Sequence, residues 1–171
     1  LPISSWATAF QSLSAGLNAA GIVSPQASQV WVAQGTYTVP AASTFFIPLG
    51  AEVYGGFAGG ETSINQRDPE TNITVISGDV LNNSTPTGVN TSDDAGILIG
   101  INQTDARAVT QVLDGFTVQY ARTTLLDVFG GAKPRVQNCT FQYVFGGGAA
   151  GVSGVRIQNG SPTVFARNTI H

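Results

Sequence analysis

The feature that most constrains the fold is a short motif that recurs in the second half of the chain. Residues 113–118 (LDGFTV) align with residues 136–141 (VQNCTF), and a third copy follows at residues 164–170. Pro-x-Val units at Pro134 and Pro162 support the same repeat. Similar units about 20–30 residues apart are typical of solenoids, in which each coil buries its apolar face against its neighbours. The spacing therefore predicts stacked coils instead of a sandwich or a barrel.

The aligned columns predict the shape of each coil. Gly115 and Asn138 share a column, and both residue types tolerate a left-handed backbone, so we expect a sharp bend there between two strands. Side chains of a strand point alternately to its two faces. We therefore expect the column directly after the bend and the column two places further on to point inward, and the threonine column between them to point outward. Asn168 is a polar residue in the first of these inward columns, and we expect it to need a partner or a local bulge. The inward residues are Phe116, Cys139, Val118, Phe141 and Ile170, and the outward ones are Thr117, Thr140 and Thr169.

The first part of the chain has a different periodicity. Trp6, Phe10, Leu13 and Leu17 recur at helical spacing, which predicts a helix over residues 5–20. We expect Ser4 or Ser5 to cap its start and Gly21 to end it.

Short apolar runs, rich in β-branched and aromatic residues and separated by glycine, proline and asparagine, begin at Gln29. We therefore divide the chain into residues 1–28, which contain the amphipathic helix, and residues 29–171, which contain the short strands of the solenoid. At the repeat length above, the second part holds roughly five to six coils.

Composition excludes several classes of partner. Only 10% of the residues are charged, the net charge is −3, and no basic stripe is present that would bind nucleic acid. No apolar run is long enough to span a membrane. The single cysteine, Cys139, cannot form an internal disulfide and is expected to pack as a small apolar residue. Because methionine is absent, we expect either that a leader is removed or that the chain is an excised fragment. Together with the low charge, the first alternative predicts a protein outside the cell or on its surface.

Several motifs together resemble a known group of proteins. They are VWVAQGTY at residues 30–37, VYGGFAGGET at residues 53–62, RDP at residues 67–69, SGD at residues 77–79 and LDGFT at residues 113–117. In this order they resemble the bacterial right-handed β-helix repeat proteins, which are related to the pectate-lyase superfold and to the polymorphic outer-membrane proteins. The resemblance implies an all-β, right-handed parallel β-helix (solenoid). In it, residues 1–28 would form an N-terminal cap with a capping α-helix, and residues 29–171 the parallel β-helix, which shows no C-terminal cap. Members of this group include enzymes, adhesins and passive stalks, so the fold alone does not select a function.

A polysaccharide lyase on such a fold needs carboxylates that hold Ca²⁺ and a nearby arginine or lysine as the base. Asp114, Asp127, Arg122, Lys133 and Arg135 fall in neighbouring coils and are the candidates. Solvated positions on the coils are the alternative interpretation, and the sequence favours it, because the ten acidic residues are spread over the whole chain.

Asp93 and Asp94 are the candidates for a Ca²⁺ site. They are adjacent in a polar stretch, residues 81–95, for which a surface loop is the preferred interpretation. The only histidine, His171, is the last residue, which argues against a histidine-based triad. No cofactor is predicted.

The sequence favours an extracellular structural or adhesive module without catalytic activity. Because its coils end without a predicted cap, we expect self-association through the exposed ends, with assembly into filaments as one outcome. The alternative is a polysaccharide lyase or a glycan-binding fragment of a carbohydrate-active surface protein, with surface glycans as partners.

Overall fold

Three parallel sheets form most of the structure. The computed structural model describes residues 5–22, 28–103, 110–146, 153–159 and 164–171. Within these residues the chain visits the three sheets in a fixed order, so that strands next to each other in a sheet come from successive rounds of the chain. This arrangement fits a parallel β-helix.

The strands are numbered in chain order and grouped by sheet. Sheet 1 contains β1 Ser28–Ala33, β4 Ala51–Phe57, β7 Val112–Asp114, β10 Arg135–Gln137 and β13 Val164–Ala166. Sheet 2 contains β2 Gly35–Thr38, β5 Thr74–Ser77, β8 Thr117–Ala121, β11 Thr140–Val144 and β14 Thr169–Ile170. Sheet 3 contains β3 Phe45–Ile47, β6 Ile97–Asn102, β9 Thr124–Phe129 and β12 Ser153–Ile157.

The described strands make four complete rounds and begin a fifth, against the five to six coils expected. The second round, β4 to β6, is long because two excursions leave the sheets within it. Residues 58–73 connect β4 to β5, and residues 78–96 connect β5 to β6.

The predicted bend between sheets 1 and 2 is confirmed. Gln137 pairs with Asp114 and Thr140 with Thr117, which places Asn138 beside Gly115. Both residues have positive φ, +83° for Gly115 and +52° for Asn138, as a tight turn between strands requires.

Asn168 lies in the predicted column and has the expected partners. Its side chain accepts a hydrogen bond from the Cys139 N–H at 2.9 Å and donates one to the Val136 carbonyl at 2.9 Å. The amide thus binds the backbone of the preceding round, which satisfies a polar group in an inward column.

One predicted alignment is wrong by one residue. The Pro-x-Val units predict that Val136 lies beside Val164, but Val136 pairs with Phe165. The bend determines the register instead, because Arg167 has positive φ and occupies the column of Asn138. Val164 is consequently 58% exposed.

The helix also differs from the prediction. A 3₁₀ turn spans Trp6–Thr8, and α1 spans Leu13–Ile22, so Trp6 and Phe10 lie outside the α-helix. The Ser5 side chain makes no capping hydrogen bond, whereas the Ser12 hydroxyl accepts one from the Ala15 N–H, and the helix continues through Gly21. Tertiary packing decides these bounds, since the buried face of α1 contacts β1 and β3. That face consists of Leu13, Leu17 and Ala20.

The core lies between the three sheets and consists of inward columns. Val53, Leu113 and Val136 stack in sheet 1, and Ile76, Val118 and Phe141 stack in sheet 2. Each of these residues is at most 1% exposed. Full burial of such a side chain contributes about 1.5–3 kcal/mol, so the columns are the main source of stability. Thr117, Thr140 and Thr169 lie in the outward column, as predicted.

Gly78 marks a close approach between two rounds and supports a prediction. A Cβ at this position would lie 2.0 Å from the Tyr120 carbonyl oxygen, a backbone atom, whereas a Cβ at Gly60 meets nothing within 4 Å. We expect Gly78→Ala to lower the free energy of unfolding by about 1–3 kcal/mol, because the backbone of one round must shift. Gly60→Ala is the control, with an expected change within about 0.5 kcal/mol. Equal effects of the two substitutions in urea unfolding would contradict this packing.

Candidate functional site

Three aspartates from the second excursion form an acidic cluster. Asp79 follows β5, Asp93 ends a 3₁₀ turn over Thr91–Asp93, and Asp94 comes next. One carboxylate oxygen from each lies within 4.8 Å of the others. The structure therefore brings the predicted pair, Asp93 and Asp94, together with a third carboxylate, and we call these three residues the acidic triad.

Backbone N–H groups hold two of the carboxylates in place. Asp79 accepts hydrogen bonds from the N–H groups of Asn83 and Ser84, at 2.9 and 3.0 Å. Asp93 accepts one from the Leu81 N–H at 3.1 Å. The excursion thus folds around its own acidic side chains, which fixes their geometry.

Asp94 is the most buried member of the acidic triad and is only half satisfied. It is 2% exposed, and its Oδ1 accepts a hydrogen bond from the Ser84 hydroxyl at 2.7 Å. Its Oδ2 is buried and has no hydrogen-bond partner. Burial raises the pKa of Asp94; the Ser84 hydrogen bond opposes this, and the charges of Asp79 and Asp93 raise it further. A buried carboxylate oxygen without a partner is costly, so this position favours a cation.

Arg122, a candidate base in the lyase hypothesis, lies at the edge of the same region. Its guanidinium donates a hydrogen bond to the Ser92 carbonyl at 3.1 Å. Arg122, Asp93 and Asp94 line an open cleft of about 550 Å³, with Ala41 and Ile97 among the other lining residues. Of the five lyase candidates, Arg122 is the one that the structure places beside the predicted Ca²⁺ residues.

Asp114 is buried elsewhere, at the end of β7, and is fully bound. It is 1% exposed, and its Oδ2 lies 2.7 Å from a guanidinium nitrogen of Arg67. Gln137 and Asn138 of the next round donate to its two oxygens at 2.7 and 2.8 Å. This carboxylate links three parts of the chain and has no free oxygen to offer a substrate.

Asp127 lies in the middle of β9 and is bound in a similar way. Arg156 of β12 contacts its two carboxylate oxygens with two nitrogens, at 3.0 and 2.6 Å. Gln158 donates a third hydrogen bond at 2.9 Å. Arg156 stands directly beside Asp127 in the strand register, so this pair also joins one round to the next.

The structure places the remaining candidates apart from these carboxylates. Arg135 is exposed on β10, beside Val112, and Lys133 is exposed in the segment between β9 and β10. Asp114 belongs to sheet 1 and Asp127 to sheet 3. Within the described part of the chain, the structure pairs each of these carboxylates with an arginine outside the candidate set.

Three important residues were not among the predicted site residues. Asp79 and Arg67 belong to the SGD and RDP motifs, which the sequence analysis used only as marks of family resemblance. Arg156 lies 29 residues after Asp127, the same offset that separates Thr140 from Thr169. This shared offset was the signal that could have identified the pair from the sequence.

Side-chain ladders also connect successive rounds at the corner between sheets 2 and 3. Tyr120 and Tyr143 stack with their ring centroids 5.1 Å apart, and both have positive φ. Beside them Gln142 donates to Gln119 at 2.9 Å. The tyrosine faces contact each other, so they stabilise the stack of rounds.

Cys139 confirms the prediction of a buried, apolar role. It is 1% exposed and belongs to the core. Burial raises the pKa of its thiol to about 12, so the sulfur stays protonated and a poor nucleophile at neutral pH.

The Asp127–Arg156 pair supports a prediction about pH. Burial alone would raise the pKa of Asp127, but hydrogen bonds from Arg156 and Gln158 and the charge of Arg156 outweigh it, so the pKa lies below its ordinary value. Ionised Asp127 therefore stabilises the fold above the pKa of the unfolded chain, and this contribution is lost as the pH falls through the folded-state pKa.

We expect Asp127→Asn to lower the free energy of unfolding by about 1–2 kcal/mol at pH 7, because it removes the negative charge that pairs with Arg156. The loss is modest because Arg156 is partly exposed to solvent. In urea unfolding, the difference should narrow as the pH falls below about 4. A difference as large at the lowest pH as at neutral pH would contradict the assigned pairing.

Comparisons with known proteins give no relative. No protein-family model, curated protein or solved structure matches this chain. The resemblance to bacterial β-helix repeat proteins therefore rests on the motifs of the sequence. No helix in the described ranges is both long and apolar enough to cross a membrane.

Proposed function

We propose that this chain is an extracellular structural or adhesive module built on a right-handed parallel β-helix. The observation that carries the proposal is that two buried carboxylates bind side chains of other rounds of the chain. Asp114 and Asp127, the carboxylates of the lyase hypothesis, bind arginines and amides across successive rounds. Groups held in this way stabilise a stack, and both oxygens of each carboxylate are already engaged by protein donors.

The ladders support the same role. Asn168 binds the backbone of the preceding round, and Tyr120–Tyr143 and Gln119–Gln142 each join two rounds. The right-handed form of the stack is supported by the general handedness of crossovers between parallel strands. A rod with such contacts along its length is suited to hold a shape outside the cell.

The proposal is tested by measuring stability and turnover in parallel. Wild type, Asp114→Asn and Asp127→Asn are compared by thermal unfolding and by release of unsaturated products from acidic polysaccharides in the presence of Ca²⁺. We expect a loss of stability in both variants and no turnover by wild type. Turnover by wild type that both variants lose while still folded would favour the lyase alternative.

Two other predictions stay open beside this proposal. End-to-end assembly is checked by electron microscopy of the purified protein, and regular filaments would support it. Glycan binding is checked by titration with surface polysaccharides.

A further inference from the structure

We propose that Asp79, Asp93 and Asp94 bind one Ca²⁺ ion. This inference is independent of the proposed function, because it concerns the second excursion and none of the pairs that join the rounds. It adds Asp79 as a third ligand to the predicted pair, Asp93 and Asp94, because the structure brings the three carboxylates together.

The acidic triad concentrates negative charge in a small volume. Three carboxylates gather within 4.8 Å, and like charges at such distances repel one another. Arg122 is the nearby cation, but it donates to the Ser92 carbonyl, and no ion pair joins it to the acidic triad within the described residues. The charge of Arg122 acts on Asp94 from a distance, but one positive charge cannot offset three carboxylates, so the cluster keeps a negative charge that a bound cation would balance.

Asp94 contributes a buried carboxylate oxygen to the acidic triad. Its Oδ2 lies out of solvent without a partner, in a side chain that is 98% buried. A bound cation satisfies such an oxygen directly, whereas the unliganded state bears the full cost of desolvating it.

The donor atoms of the acidic triad suit a hard cation. All three are carboxylates, the ligands that hard cations prefer, whereas Zn²⁺ sites are usually built from Cys and His. Ca²⁺ binds oxygen at about 2.3–2.6 Å in flexible geometry, so two of its ligands lie up to about 5 Å apart. Mg²⁺ requires a tighter and more regular octahedron. The flexible geometry that Ca²⁺ accepts suits ligands from a loop, and the open cleft beside Asp93 and Asp94 admits water ligands, so the site favours Ca²⁺.

Backbone hydrogen bonds preorganise two of the three carboxylates. N–H groups of Leu81, Asn83 and Ser84 hold Asp93 and Asp79 before any ion binds. An ion shared with Asp94 would fasten the excursion between its two ends, near β5 and β6.

The test uses the whole chain, freed of metal with a chelator. We expect Ca²⁺ titration by calorimetry to give one site per chain, with a Kd of about 10⁻⁴–10⁻³ M, the weak end of the range for Ca²⁺ sites in proteins. In about 10 mM Ca²⁺ the Tm should rise by several degrees. No binding heat together with an unchanged Tm would overturn the proposal. An equal rise of the Tm in the same concentration of Mg²⁺ would overturn the assignment to Ca²⁺.

Asp94→Asn is the decisive variant, with Glu70→Gln, an exposed acid outside the triad, as the matched control. Without metal, Asp94→Asn should be at least as stable as wild type, because the substitution relieves repulsion, and this also shows that the variant folds. With Ca²⁺ the order should reverse, and the affinity of Asp94→Asn should fall at least tenfold while that of Glu70→Gln is unchanged. Undiminished Ca²⁺ affinity in Asp94→Asn would overturn the proposal.

Discussion

Asp114→Ala should lower the free energy of unfolding by about 3–5 kcal/mol, one of the two largest effects that we expect from a single substitution. The wild-type carboxylate is 1% exposed and is bound by Arg67, Gln137 and Asn138. Its removal leaves the mostly buried Arg67 guanidinium without its counter-ion and two side-chain amides without an acceptor. Chemical unfolding in urea, followed by circular dichroism, measures the loss.

Glu70→Ala is the control for charge. It also removes one negative charge, but Glu70 is exposed, so the expected change is within about 0.5 kcal/mol. Similar losses in the two variants would mean that net charge matters and that the contacts of Asp114 do not.

Phe141→Ala should cost about 3–5 kcal/mol, for a reason unrelated to charge. Phe141 is fully buried in the inward column of sheet 2, beside Val118, and its ring centroid lies 6.3 Å from that of Phe165. The substitution removes most of this contact and leaves a cavity in the stack.

Phe46→Ala is the same change on the outer side of sheet 3, where Phe46 is 56% exposed. We expect it to cost less than about 1 kcal/mol. Thermal unfolding of both variants gives the comparison. If Phe141→Ala were as mild as Phe46→Ala, the inward assignment of the column would be wrong.

Local repeats made part of the fold predictable. The bend at Gly115 and Asn138 and the outward column of threonines follow from residue types that recur at fixed offsets, so the alignment found them. The strand register that the Pro-x-Val units predicted is wrong by one residue, because the bend determines the register and a short sequence match does not. The apolar periodicity also failed to predict the bounds of the helix, because packing against β1 and β3 selects which apolar residues are buried.

Much of the candidate site was not predictable in this way. Arg67 and Asp114 are 47 residues apart and meet because an excursion returns to a later round. Asp79 joins Asp93 and Asp94 through the fold of another excursion, whose length follows no repeat. Excursions have no counterpart in neighbouring rounds, so an alignment of repeats says nothing about where their side chains go.

The central claim is that buried charges of this chain hold its rounds together. A double-mutant cycle on Arg67 and Asp114 tests it most directly, with Arg67→Met, Asp114→Ala and the double variant compared by urea unfolding. We expect a coupling free energy of about 2–3 kcal/mol, because either single substitution already leaves the other partner buried without its counter-ion. Losses that add within about 0.5 kcal/mol would show no coupling across the stack and would contradict the account.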